Sequence, residues 1–162
     1  MSTPPPAPLL FWEDFQIGDQ SEFGRAEVTS EAIVEFARQF DPQPFHLDED
    51  AARQSLFGGL CASGWHTASM AMRMMCDSHL SQAASLGSPG LESLRWKQPV
   101  RPGDVLHMRH EVLDARPMAS RPGVGLVLSR WQVFNQRDEL VMSMEAWGMY
   151  RRREPSPPAA AG

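Results

Sequence analysis

GWHTASMAMRMMCDSHL, residues 64–80, is the stretch on which the fold turns. Trp65, Ala68, Met72, Met75 and Cys76 recur at helical spacing and make one face, while Met70, Ala71 and Met74 spread apolar character around the cylinder. At about 1.5 Å per residue the helix runs roughly 25 Å. A helix that is apolar on most of its sides is one that other structure surrounds. Its methionines read as adaptable core filling, and Arg73 and Asp77 within it argue against a membrane span.

Downstream, from Leu91 onward, the texture changes to runs with strand character separated by turns: LESLRWKQPV, then RPGD, VLHMRHEVLDA, GVGLVLSRWQVFN, QRDE and LVMSMEAWGMYRR. Pro102 followed by Gly103 predicts a tight turn with positive φ at the glycine. Upstream, Ser21 to Val28 reads as one further strand. Thr29 or Ser30 then caps a short amphipathic helix with Ile33, Phe36, Ala37 and Phe40 on one face. That helix stops at Asp41, because Pro42 disfavours helical backbone in the residue before it. One strand, two helices and several antiparallel strands predict an α+β domain whose sheet wraps the long helix.

The chain of 162 residues suits a single domain, with 42% apolar and 22% charged residues. We place that domain at residues 9–153, with unstructured tails at 1–8 and 154–162, both rich in Pro, Ala and Ser. A formal net charge of −5 argues against a nucleic-acid partner. The N-terminus lacks the basic opening and apolar run of a signal peptide, so a cytoplasmic protein is expected. Cys61 and Cys76 cannot form a disulfide framework and are read as buried, reduced thiols.

FDPQPFHLDED, residues 40–50, is the stretch that could be a solvated turn, a metal loop or a site of chemistry. On a continuous helix Asp41 and His46 would point about 140° apart. Pro42 and Pro44 forbid that helix and impose a stiff loop able to fold back. Two readings follow. Either the carboxylate and the imidazole meet over one water as an acid–base pair, or Asp41 ends a helix while His46 packs under the loop. Asp48 reads as the cap of a turn running through Arg53. The glycine and distal glutamate of a calcium loop are missing. His66, His79, His107 and His110 lack zinc spacing, so no metal site is predicted.

FARQFDPQPFHLDEDAA, residues 36–52, resembles the signature of the MaoC-like dehydratases, which include the (R)-specific enoyl-CoA hydratases. Asp41, Pro44, His46 and Ala52 match. FGGLCASGW (57–65) is similar to the family's glycine-bearing entry to its central helix, and SLRWKQPVRPGD (93–104) to its strand and turn. Gln43 stands where asparagine is usual, Phe40 where glycine is common, and Ser63 where histidine is frequent. The resemblance covers roughly residues 11–151.

It implies a hot-dog fold, an antiparallel sheet around one long central helix, with subunits paired as a homodimer or a larger homo-oligomer. It also implies that Asp41 activates water and His46 partners it. Gly64, at the helix entry, would hold the thioester oxygen, with Ser63 and Gln43 beside it. The implied activity is hydration of a 2-enoyl-CoA or dehydration of a 3-hydroxyacyl-CoA, with no cofactor beyond the CoA of the substrate. Thioester hydrolysis and non-catalytic acyl-CoA binding are the alternatives. Arg95, Lys97 and Arg101 are read as solvated charges.

Overall fold

The computed structural model describes residues 9–155. The tail expected over 1–8, and that expected over 154–162 from residue 156 on, lie outside the described residues. Among these, β1 (Gln20–Glu27), β2 (Gly90–Trp96), β3 (Val105–Pro117), β4 (Val124–Phe134) and β5 (Leu140–Arg151) form one antiparallel sheet in the order β1-β3-β4-β5-β2. The helices are α1 (Ser30–Phe40), α2 (Pro44–Leu47), α3 (Glu49–Arg53) and the long α4 (Gly64–Ser78). This is the α+β, hot-dog arrangement of a sheet and a long central helix. No helix of the described residues is long and apolar enough to cross a membrane.

The long strands follow from period-two alternation. Leu106, Met108, His110 and Val112 of β3 are buried, as are Val127, Ser129, Trp131 and Val133 of β4, with their neighbours turned outward. Gly103 has φ +89°, as the turn before β3 requires, and in the QRDE turn Asp138 has φ +57°. The Asn135 side chain accepts from the Arg137 and Glu139 N–H groups and braces that turn. Between α1 and α4, Asp48 caps α3 by accepting from the Ala51 N–H at 2.8 Å.

Helix α4 lays Ala71, Met74 and Met75 against a core that includes Leu106, Met108, Trp131, Val133 and Met142. Gly24, in β1 at φ +85°, lets the helix approach: a Cβ there would lie 2.6 Å from Met74 Sδ. The helix ends at Ser78, earlier than the expected Leu80, and a 3₁₀ turn follows at Leu80–Gln82.

Its rotational setting also departs from the expected face. His66, Thr67, Ala71, Met74 and Met75 are buried, whereas Trp65 and Met72 are 58% and 46% exposed. Cys76 is exposed too, so only Cys61 of the two thiols is buried. The reason lies in what surrounds the helix. α4 packs on β1 and β3, and it also meets α1, whose Phe36 stacks on His66 at a centroid distance of 4.8 Å. Two polar residues thus become buried, and part of the most apolar stripe faces the open side.

His110 is an unusual choice for an inward position of β3. Its Nε2 lies 2.8 Å from Ser129 Oγ and its ring stacks on Trp131 at 3.9 Å. Burial, reinforced by neighbouring His79 and only partly offset by Asp19, pushes its pKa down to about 3. The unfolded chain therefore takes up a proton below about pH 6.5 that the folded chain refuses until about pH 3. The stabilisation is complete above the unfolded value and is lost as pH falls toward the folded one. We expect His110 to lower the unfolding free energy by about 2 kcal/mol between pH 7 and pH 5. Urea denaturation at the two pH values should show this, and His110→Gln should flatten the dependence. An unchanged slope in the variant would refute the assignment.

Candidate active site

Helix α1 is capped by Thr29, whose Oγ1 accepts from the Ala32 N–H at 3.2 Å. It delivers Asp41 as its half-buried C-cap, the residue just past its last turn, with the Asp41 N–H still donating to Ala37 O. The segment after it is not wholly irregular, in contrast to the stiff loop expected. Gln43 precedes a single helical turn, α2, in which Pro44 occupies the first position, where its fixed φ and missing N–H cost nothing. The His46 N–H donates to Gln43 O at 3.0 Å. This turn rotates the buried His46 ring back toward α1, leaving its Nε2 3.4 Å from Asp41 Oδ2.

Both groups are pinned. Gln43 Nε2 donates to Asp41 Oδ1 at 2.6 Å, and Ser63 Oγ donates to Asp41 Oδ2 at 2.7 Å. Gln43 and Ser63, read from sequence as neighbours of the thioester oxygen, are therefore both directed at the carboxylate. Burial alone would raise the Asp41 pKa, but the hydrogen bonds from Ser63 and Gln43, with nearby His46, outweigh it and hold the carboxyl below its ordinary value. Across from it, His46 Nδ1 lies 2.7 Å from Cys61 O. A carbonyl can only accept, so Nδ1 carries the proton and Nε2 of the neutral ring presents a lone pair. Two proton-accepting atoms thus face one small space.

The Cys61 carbonyl was invisible to sequence reading, being a backbone atom. So was its support. The Arg101 guanidinium donates to Phe57 O, and to Gly59 O at 2.7 Å, while the Ala62 N–H donates to Val100 O at 2.9 Å. Arg101 is partly buried and clamps the loop that carries Cys61, which corrects its reading as a solvated charge. Arg95 is exposed, as expected, and Lys97 lies on the rim of the site.

Ser63 also caps α4, its Oγ accepting from the Trp65 N–H at 3.3 Å. The first N–H groups of a helix lack intrahelical acceptors and carry the positive end of its dipole. Gly64 opens this helix and lines the same cavity, of about 370 Å³, as Asp41, His46, Thr67 and Trp96. The indole of Trp96 covers Gly64 so closely that a Cβ there would sit 2.4 Å from Trp96 Cε2. Among the described residues no group of three or more His, Cys, Asp or Glu side chains is placed to hold a metal ion.

Chemically, this arrangement can bind one water between a carboxylate and an imidazole, beside a helix terminus able to receive negative charge. Comparison with known proteins agrees in kind. Residues 14–127 match the family described as MaoC like domain. The MaoC-like dehydratase from Rhodospirillum rubrum is 48% identical and superposes with a TM-score of 0.83, covering 89% of this chain and 98% of that one. The 3-hydroxybutyryl-CoA dehydratase of Methylorubrum extorquens is 28% identical over 157 residues, which span 94% of this chain and 91% of the relative. An unliganded R-hydratase from Pseudomonas aeruginosa, 23% identical with a TM-score of 0.69, shares the fold, with 96% of this chain and 99% of that one covered.

Proposed function

This chain belongs to the MaoC-like dehydratase family, and on that footing we propose that it adds water to a 2-enoyl-CoA, or removes it from a 3-hydroxyacyl-CoA, with Asp41 and His46 as the acid–base pair. The observation that carries the reading is the 3.4 Å approach of His46 Nε2 to Asp41 Oδ2, in one cavity with the N-terminus of α4.

In the hydration direction the water oxygen bonds to C3 of the enoyl group. One of its protons passes to the dyad, and a proton from the dyad goes to C2, so the elements of one water are added. As the C3–O bond forms, electron density moves through the conjugated system to the thioester oxygen. That enolate charge needs a donor, which in this proposal is the Gly64 N–H. The Asp41 carboxylate, ionised through the neutral range, holds the water and favours positive charge on His46 when the ring takes a proton. His46 in turn is kept in the accepting tautomer by Cys61 O. No cofactor is required beyond the CoA carried by the substrate. Subunit pairing and a cytoplasmic acyl-CoA pool as the source of substrate belong to the same proposal.

The test is spectroscopic. With crotonyl-CoA, the conjugated enoyl absorbance should decline to an equilibrium value and be restored from the 3-hydroxybutyryl-CoA side. Release of free thiol from butyryl-CoA, with no change in enoyl absorbance, would assign thioester hydrolysis and reject the reading.

A further inference from the structure

We propose that Trp96 is the residue that limits the length of the acyl chain, a specificity determinant that rests on the acyl-CoA reading above. Three observations converge on it. First, the indole lies directly against Gly64, leaving no room for one added carbon, and its Nε1 donates to Gly64 O at 2.9 Å. It is therefore held in place, not loosely packed. Second, Trp65 meets Trp96 edge to face at a centroid distance of 5.3 Å. Helix α4 and strand β2 thus contribute one aromatic ring each to a common wall of the catalytic cavity.

Third, a second apolar space lies further along the same two elements. A second cavity, of about 240 Å³, is lined by Met72 and Met75 from α4, Leu91 from β2, and Trp131, Met144 and Trp147 from the sheet. It is flanked by the same two elements, later along α4 and earlier along β2. From Gly64 to Met72 the helix advances about 12 Å, a distance an extended medium-length acyl chain would cover.

With the thioester oxygen at Gly64 and C3 at the dyad, an acyl chain growing along α4 meets the Trp96 indole before it reaches this second space. The wild-type site is therefore a short-chain site, and loss of the indole joins the two cavities. Each further methylene that finds apolar room should then gain about fourfold in affinity.

The experiment measures dissociation constants of butyryl-CoA and octanoyl-CoA by calorimetry, with wild type, Trp96→Ala and Trp96→Phe. Saturated thioesters make the measurement independent of turnover. Wild type should bind octanoyl-CoA no more tightly than butyryl-CoA. Trp96→Ala should shift the ratio at least tenfold toward octanoyl-CoA, and Trp96→Phe, which retains a ring, should shift it far less. The proposal is overturned if wild-type affinity climbs steadily to octanoyl-CoA, or if Trp96→Ala, still melting cooperatively, keeps the wild-type ratio. Because wild type alone tests the limit, poor folding of the alanine variant does not rescue the idea. Tight binding with the wrong length dependence defeats this inference but spares the parent reading. Failure of both thioesters to bind defeats both.

Discussion

Asp41→Asn is expected to lower kcat for hydration of crotonyl-CoA by about 10³-fold, within the range for loss of a positioned acid–base group. The affinity for butyryl-CoA should change little. The asparagine keeps the size of the aspartate but removes the negative charge, and with it the stabilisation of a proton taken from the bound water. It also spoils the donor pattern. Ser63 and Gln43 each donate to one carboxylate oxygen, and an amide offers them one oxygen and one NH₂. His46→Gln should be comparably poor, and the double variant little worse than either single one, since the two residues act as a unit. Rates are measured by enoyl absorbance and binding by calorimetry. Turnover within tenfold of wild type in Asp41→Asn would remove the carboxylate from the mechanism. Because the Asp41 carboxyl of the free protein lies below its ordinary value of 3.8, a loss of kcat/KM between pH 8 and pH 5 is assigned to another group.

Gly64→Ala is expected to lower kcat/KM by about 10²-fold through displacement of the oxyanion donor. The added Cβ would lie 2.4 Å from Trp96 Cε2 and 2.7 Å from Cδ2, so the indole must leave its place or the helix start must shift. Overpacking of this kind costs about 1–3 kcal/mol of stability. Alanine retains the N–H, which makes the loss recoverable. In the double variant Gly64→Ala with Trp96→Ala the clash is gone, and at least tenfold of the activity should return. A double-mutant cycle on kcat/KM with crotonyl-CoA, paired with thermal unfolding, reads the coupling. Strict additivity would mean that the indole is not what makes glycine necessary here.

Much of the fold is legible in near-neighbour chemistry. Thr29 before an amphipathic run, Pro42 after Asp41, Asp48 three residues before Ala51, and Gly103 in RPGD each act through a few consecutive backbone groups. The same locality left Asp41 and His46 able to meet, since two prolines within five residues forbid a continuous helix between them; their reading as an acid–base pair came from the resemblance to the MaoC-like dehydratases. The helical turn at Pro44–Leu47 escaped because proline was read as a breaker, although at the first position of a helix it is an initiator.

Composition and periodicity read α4 as surrounded on most of its sides, yet one side of it is open. Trp65 and Met72 carry the strongest apolar signal, yet they sit on the side away from β1 and β3, while His66 and Thr67 are buried. Periodicity shows that a stripe exists. It does not show where the partner lies.

Local sequence thus settled the main elements and the antiparallel α+β order, because capping, proline geometry and side-chain alternation work over a few residues. Closure of the sheet about α4 supplied the rest. It brought the Cys61 carbonyl to His46, Ser63 to Asp41 across 22 residues of chain, Trp96 to Gly64 across 32, and Arg101 to Phe57 across 44. Such contacts join groups whose separation depends on how every intervening element packs, so no short-range pattern encodes them. They nevertheless set the tautomer of the imidazole, the ionisation of the carboxylate and the size of the cavity.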